Sequence, residues 1–350
     1  MKISLRRKKD TEIRQTDREL VYSTLEFRNK EGRVPRQLWT LPCAHWDHQD
    51  TIDRINRDYP ADIVGPPVIL KKPTIEQGDP YVKGTYIDMW GCRFTNIHPG
   101  VHGEVKESLI RDDDWEDADQ IHIPTEVLDF DVDAVNGFCA RTDKFVSSGC
   151  NPRPFEQLQF IRTTELLYMD LMDIPSGMAK FMQKMHTFYC DWVEKWAKTD
   201  VDCVNMMDDW GSQQSLLINP KMWREIFKPM YKDYVEIAKR YGKKAFMHSD
   251  GYTLDIIPEL IDIGMDAVNC QIFCIGVDKL APYKGKITFW GEIDRQHLLV
   301  TGETSDVENA VKSVYDTLWA DGGCIAQCEF GPGAKPENVY TVYKAWNEVK

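Results

Sequence analysis

Lys243-Lys244-Ala245-Phe246-Met247-His248-Ser249-Asp250-Gly251 is a short apolar run that ends abruptly in a polar cluster. The residues behind it, 252–263, read as a helix that Gly264 closes. A buried parallel strand that delivers side chains to a loop at its carboxyl end has this pattern. His248 and Asp250 alternate, so an extended backbone points both to the same side. An imidazole and a carboxylate aimed at one spot can hold a metal or move a proton. The same residues also suit a loop histidine followed by a helix-capping aspartate.

Working outward, the pattern repeats. Strands are predicted over 145–149, 201–207, 265–271, 287–290 and 323–329. Between them lie a long helical region with Pro154 near its start and Pro175 breaking it, and a helix over 220–241 closed by Gly242. A further helix is predicted with Ser305 and Glu308 as its capping box and Val307, Ala310, Val311, Val314 and Leu318 as its apolar stripe. A last helix runs from Pro336 onward. Toward the amino terminus, a basic lead and a helix over 17–28 precede a strand over 34–41, which empties into the Pro42–His48 loop. Residues 60–125 are irregular, with a strand-like run at 84–92 and an acidic run over 111–119 that reads as a solvated face. Alternating strand and helix with short connections means a parallel sheet with helices outside it. The count fits an α/β fold of the (β/α)8 TIM-barrel kind, with 1–30 as an N-terminal basic lead and helix and 31–350 as a single barrel domain. No Gly-x-Gly-x-x-Gly follows a strand, which disfavours a dinucleotide-binding sheet.

The 350 residues are 42% apolar, ample for a core, and carry a net charge of −13, which disfavours a nucleic-acid partner. The basic start has no apolar stretch behind it, so no secretory signal is expected, and no run is long enough to span a membrane. The ten dispersed cysteines read as free thiols of a cytoplasmic protein.

In such a barrel the chemistry sits at the carboxyl ends of the strands. Polar clusters fall there in succession: Asp208-Asp209-Trp210, His248-Ser249-Asp250, Asn269-Cys270-Gln271, Glu292 with Asp294, and Cys328-Glu329. His248, Asp250, Glu292 and Cys328 are all competent metal ligands. Cys328 could equally be a small buried apolar residue, and Glu292 could pair with Arg295. Asp208, Asp209 and His248 are the candidate proton carriers. Trp39, Trp90, Trp210, Asn269 and Gln271 are the candidate substrate-binding residues, although tryptophans are often plain core.

The motifs Asp208-Asp209-Trp210-Gly211-Ser212-Gln213, Ile218-Asn219-Pro220, His248-Ser249-Asp250-Gly251, Phe289-Trp290-Gly291-Glu292-Ile293-Asp294 and Pro336-Glu337-Asn338-Val339 resemble the uroporphyrinogen decarboxylase-like superfamily. Pro154-Phe155-Glu156 and Asp88-Met89-Trp90-Gly91-Cys92 fit as well. The resemblance implies a (β/α)8 barrel. The Arg-Gln-Ala-Gly-Arg-Tyr motif that grips tetrapyrrole propionates is absent, which disfavours haem-pathway decarboxylation; Arg33 and Arg36 flank Val34-Pro35 instead. The branch it implies is that of zinc-dependent methyltransferases working with corrinoid proteins, which carry His-x-Cys at one strand end and a Cys at the last. His248 matches that His and Cys328 the last Cys, while Asp250 stands in place of the first Cys. A carboxylate there keeps the metal harder, which favours demethylation of an O-methyl donor such as a methoxylated aromatic. The chain has no Asp-x-His-x-x-Gly carrier signature, so the cobalt is expected on a partner protein. The alternative is a metal-independent decarboxylase or lyase of a small carboxylate, with His248 and Asp209 as its acid and base.

Overall fold

The computed structural model describes residues 15–68 and 70–349. Most of the basic lead expected at the amino terminus, residues 1–14, lies outside them.

Eight parallel strands make the ring: β1 (Arg36–Thr40), β2 (Ile63–Val64), β3 (Phe145–Val146), β4 (Cys203–Met207), β5 (Lys244–Ser249), β6 (Ala267–Cys270), β7 (Thr288–Trp290) and β8 (Cys324–Phe330). Strands β4 to β8 pair in sequence, and β8 pairs β1 from Arg36 opposite Ala326 to Thr40 opposite Phe330. The short pair β2–β3 completes the circle. It is tied to β1 by the Asp62 amide on the Arg36 carbonyl (2.8 Å) and to β4 by the Ser147–Cys203 bridge. Strand β2 is only two residues long, and the strand-like run near 84–92 belongs elsewhere. Gly84–Ile87, Arg93–Asn96 and Glu104–Val105 form an antiparallel meander inserted between β2 and β3.

The helices between strands bury their apolar stripes against the ring. All five stripe residues of Thr304–Leu318 are buried, as their spacing predicts. Its cap lies two residues earlier than expected: Glu303 and Asp306 form the reciprocal box, and Ser305 falls inside the first turn. The helix expected over 220–241 is two, Pro220–Ile226 and Lys228–Arg240. Pro229 has no N–H to continue the ladder and clashes with the preceding turn, so the break falls there.

The amino end of the ring is plugged. Helix Asp17–Leu25 starts with a Thr16–Glu19 capping box and inserts Val21 and Leu25 into a cluster with Ile63, Phe145, Cys203, Phe246, Ala267, Trp290 and Ile325. Polar groups clamp this floor. Asp202 accepts from Tyr22 (3.0 Å) and faces Arg18 (3.2 Å), and Arg33 grips Asp62 with both terminal nitrogens (2.9 and 2.8 Å). Arg33 and Arg36 are therefore committed at the closed end and cannot serve an anionic substrate at the open one. Among the described residues no helix is long and apolar enough to cross a membrane.

Candidate functional site

Strands β4 and β5 lie side by side, with Met207 opposite His248. Their loops are drawn together by two glycines. Gly211 donates to the Asp250 carbonyl (3.1 Å), and a Cβ on Gly251, whose φ is +78°, would overlap the Gly211 carbonyl oxygen. Only backbones without side chains approach this closely. The consequence is local: the Asp250 amide donates to Asp209 Oδ1 (2.9 Å), and both carboxylates face one imidazole. His248 Nε2 is 3.5 Å from Asp209 Oδ1 and 3.7 Å from Asp250 Oδ1. Asp209, His248 and Asp250 each offer a ligand atom within 4.8 Å of the others.

The state of the imidazole follows from Asn269 on β6. Asn269 Nδ2 donates to the Trp290 carbonyl (2.5 Å), which can only accept, and to Gln327 Oε1 (3.1 Å). Its Oδ1 therefore faces His248 Nδ1 at 2.6 Å and accepts from it. Nδ1 thus carries a proton, and in the neutral ring the Nε2 lone pair points at the two aspartates. Ligating histidines are typically oriented this way by an acceptor behind the ring.

Arg295 supports the cluster from the other side. It binds Asp250 Oδ2 through Nη2 and reaches Glu329 (2.7 Å) and Glu292 (3.4 Å) through Nη1. The Glu292 pairing with Arg295 is the one its sequence position allows. Asp250 Oδ1 is left buried with no hydrogen-bond partner. An orphaned carboxylate oxygen beside an imidazole lone pair fits a divalent cation. Burial pushes Glu292 up to about 8, against the Arg295 charge that lowers it. Burial, with the Asp209 charge, pushes Glu156 up to about 8 as well.

The structure does not bring every expected residue here. Gln327 and Glu329 face into the ring, so Cys328 between them faces out. Its Sγ meets the Tyr343 hydroxyl of the last helix (3.6 Å), and burial raises the thiol to about 12. Cys328 is a core residue, and the cluster has no thiolate donor. Asp208 is fully buried under the amino end of helix Pro154–Arg162. It accepts from the Phe155 and Glu156 amides (2.9 and 2.7 Å) and from Tyr231 (2.5 Å), so it serves as a helix cap supplied by another loop, and burial pushes its carboxyl up to about 7. Trp210 stacks on Phe155 (4.3 Å) and donates to Tyr231, and Trp90 packs on Phe188 (5.5 Å); both are core, not pocket. Trp39 does reach the site, with its ring 5.4 Å from His248 and 5.0 Å from Trp290. Gln271 lines a cleft of about 70 Å³ with Glu292, Arg295 and Cys274, and its buried Oε1 has no partner. Glu156, Arg153 and Arg295 were not among the expected site residues. Two of them follow β3, whose strand was expected over 145–149, but they lie several residues beyond its end, past Gly149 and Pro152.

A parallel ring of eight strands with its polar cluster at the carboxyl mouth defines the class, a TIM-barrel protein with a candidate cation site. The family described as Uroporphyrinogen decarboxylase (URO-D) matches residues 89–349, and the chain belongs to it. Among solved structures, a methyltransferase from Methanosarcina mazei is similar over 96% of this chain and 99% of its own, with 14% identity and a TM-score of 0.68. A B12-independent methionine synthase from Shewanella sp. W3-18-1 is similar over 71% of this chain and 69% of its own, with 13% identity and a TM-score of 0.42. No curated protein matches the sequence.

Proposed function

We propose that the protein is a metal-dependent methyltransferase. It would take a methyl group from a small O-methylated donor, a methoxylated aromatic being favoured, and pass it to a corrinoid on a partner protein. The observation that carries the metal dependence is the convergence of Asp209, His248 and Asp250 around an oriented lone pair and an orphaned carboxylate oxygen. The fold shared with the Methanosarcina methyltransferase agrees with methyl transfer.

Asp209, His248 and Asp250 would hold the cation, zinc by the family resemblance, through one nitrogen and two oxygens. Bound there, it supplies a Lewis acid for the donor's leaving oxygen. Asn269 keeps the His248 lone pair directed at the cluster. Arg295 holds Asp250 by one oxygen and leaves the other for the ligand role. Trp39 offers a flat wall beside His248, which suits an aromatic ring. Glu292 and Glu156 keep their protons near neutral pH and can neutralise the departing oxygen. The ten free thiols support a reducing compartment, the cytoplasm.

The test is methylation of cob(I)alamin by methoxylated aromatics, read from the absorbance of methylcobalamin. Activity should vanish with chelator and return with zinc. A second reading, a metal-free lyase of a small carboxylate, draws on the 3.5 Å approach of His248 and Asp209. Turnover of a carboxylate that survives chelation and needs no corrinoid would replace the first reading with the second.

A further inference from the structure

Two arginines stand at the mouth in different states. Arg295 is engaged by the Asp250 and Glu329 carboxylates and lies 3.4 Å from the Glu292 carboxyl. Arg153, on the loop after β3, makes no ion pair with any described carboxylate. Its side chain reaches Met207, with Nη2 2.8 Å from Sδ, and Met207 is the register partner of His248. The guanidinium thus touches the side chain that neighbours His248 across the β4–β5 pair. Its charge acts on Tyr81, Tyr86 and His102 of the inserted segment and is felt by Glu156 and Asp209. It therefore sits between the candidate metal cluster and the segment carrying the meander. A half-buried guanidinium whose hydrogen-bond partner is a thioether, with Glu156 and Asp209 near it but in no ion pair with it, has given up hydration without a bound anion.

We propose that Arg153 anchors a carboxylate of the methyl donor, which makes the donor class a methoxylated aromatic carboxylate. The proposal rests on the methyltransfer reading and narrows it. A guanidinium binds a carboxylate through two parallel N–H bonds, and a donor with carboxylate and methoxy groups on one ring can span from Arg153 to His248. A monoanion suits the place, because Arg153 supplies a single unpaired positive charge and Arg295 is already engaged by Asp250 and Glu329.

The experiment is calorimetric titration of the purified protein with 4-methoxybenzoate and with 4-methoxybenzamide, its uncharged counterpart. Wild type should prefer the carboxylate by about tenfold or more, the scale of a charge-assisted pair. Arg153→Gln should erase the preference and leave the metal content unchanged. If the glutamine variant is unstable, Arg153→Met keeps the packing on Met207 and serves instead. No preference in wild type, or the same preference in the variant, overturns the proposal. Because binding is read without turnover, failure of methyl transfer shows separately: no methylcobalamin would form while the carboxylate preference persists.

Discussion

Asn269 accepts the Nδ1 proton of His248 at 2.6 Å, and this one bond decides where the imidazole lone pair points. The amide cannot rotate, because its nitrogen is fixed on the Trp290 carbonyl. Asn269→Ala should therefore weaken metal binding about 10- to 100-fold, the usual effect of removing an acceptor behind a ligating histidine. Competition titration with a zinc indicator checks this; unchanged affinity would mean that the ring is held by something else.

His248 and Cys328 are expected to part company on mutation. His248→Ala should remove the metal, whereas Cys328→Ala should leave the metal content intact and cost about 1 kcal/mol of stability, the scale of a small deletion in a packed core. Elemental analysis beside a urea titration reads both quantities. Loss of metal from the Cys328 variant would be incompatible with a sulfur that faces Tyr343.

Gly251 joins backbone strain to ligand geometry. Alanine there would occupy a left-handed conformation at a cost of about 1–2 kcal/mol and also overlap the Gly211 carbonyl. The two loops must separate, and with them Asp209 and Asp250. Gly251→Ala should lower both Tm and metal occupancy, while Gly242→Ala, at φ +71° with open space around it, should lower Tm alone.

Asp208 should behave as a cap. Asp208→Ala removes the acceptor for two helix amides and for Tyr231, so stability should fall by about 2 kcal/mol or more. Chemical denaturation measures it. A variant of wild-type stability that lacks turnover would return Asp208 to the chemistry.

Glu292 gives a pH dependence with a definite sign. Its pKa is raised by burial from the ordinary 4.5 to about 8 in the folded chain. The folded state thus binds the proton more tightly than the unfolded state. The stability it contributes is fully present below about pH 4.5 and is lost as pH rises through about 8. In chelated protein, Glu292→Gln should flatten the fall in stability between pH 6 and pH 8.5. Identical slopes for wild type and variant would show that Glu292 is ionised throughout.

The local chemistry of the chain was enough to mark seven of the eight ring strands; Ile63–Val64, two residues long, leaves no pattern. Strand and helix alternate because apolar runs and amphipathic stripes alternate, and polar residues collect where each strand stops. His248 and Asp250 could be paired by parity alone, since a strand turns its side chains every second residue. The same parity rule could not place Cys328. A strand buried on both faces is apolar on both, so nothing along Cys324–Phe330 marks which side is the ring and which the helices. That choice was made by Arg295 and Asn269, which draw Glu329 and Gln327 inward, and by Tyr343 behind the strand. Likewise Asp208 and Asp209 are neighbours of one residue type. One became a cap and the other a candidate ligand only because helix Pro154–Arg162 arrives above the first. Periodicity along a chain reports which residues are buried; which of them meet depends on distant segments, and only the closed ring brings those together.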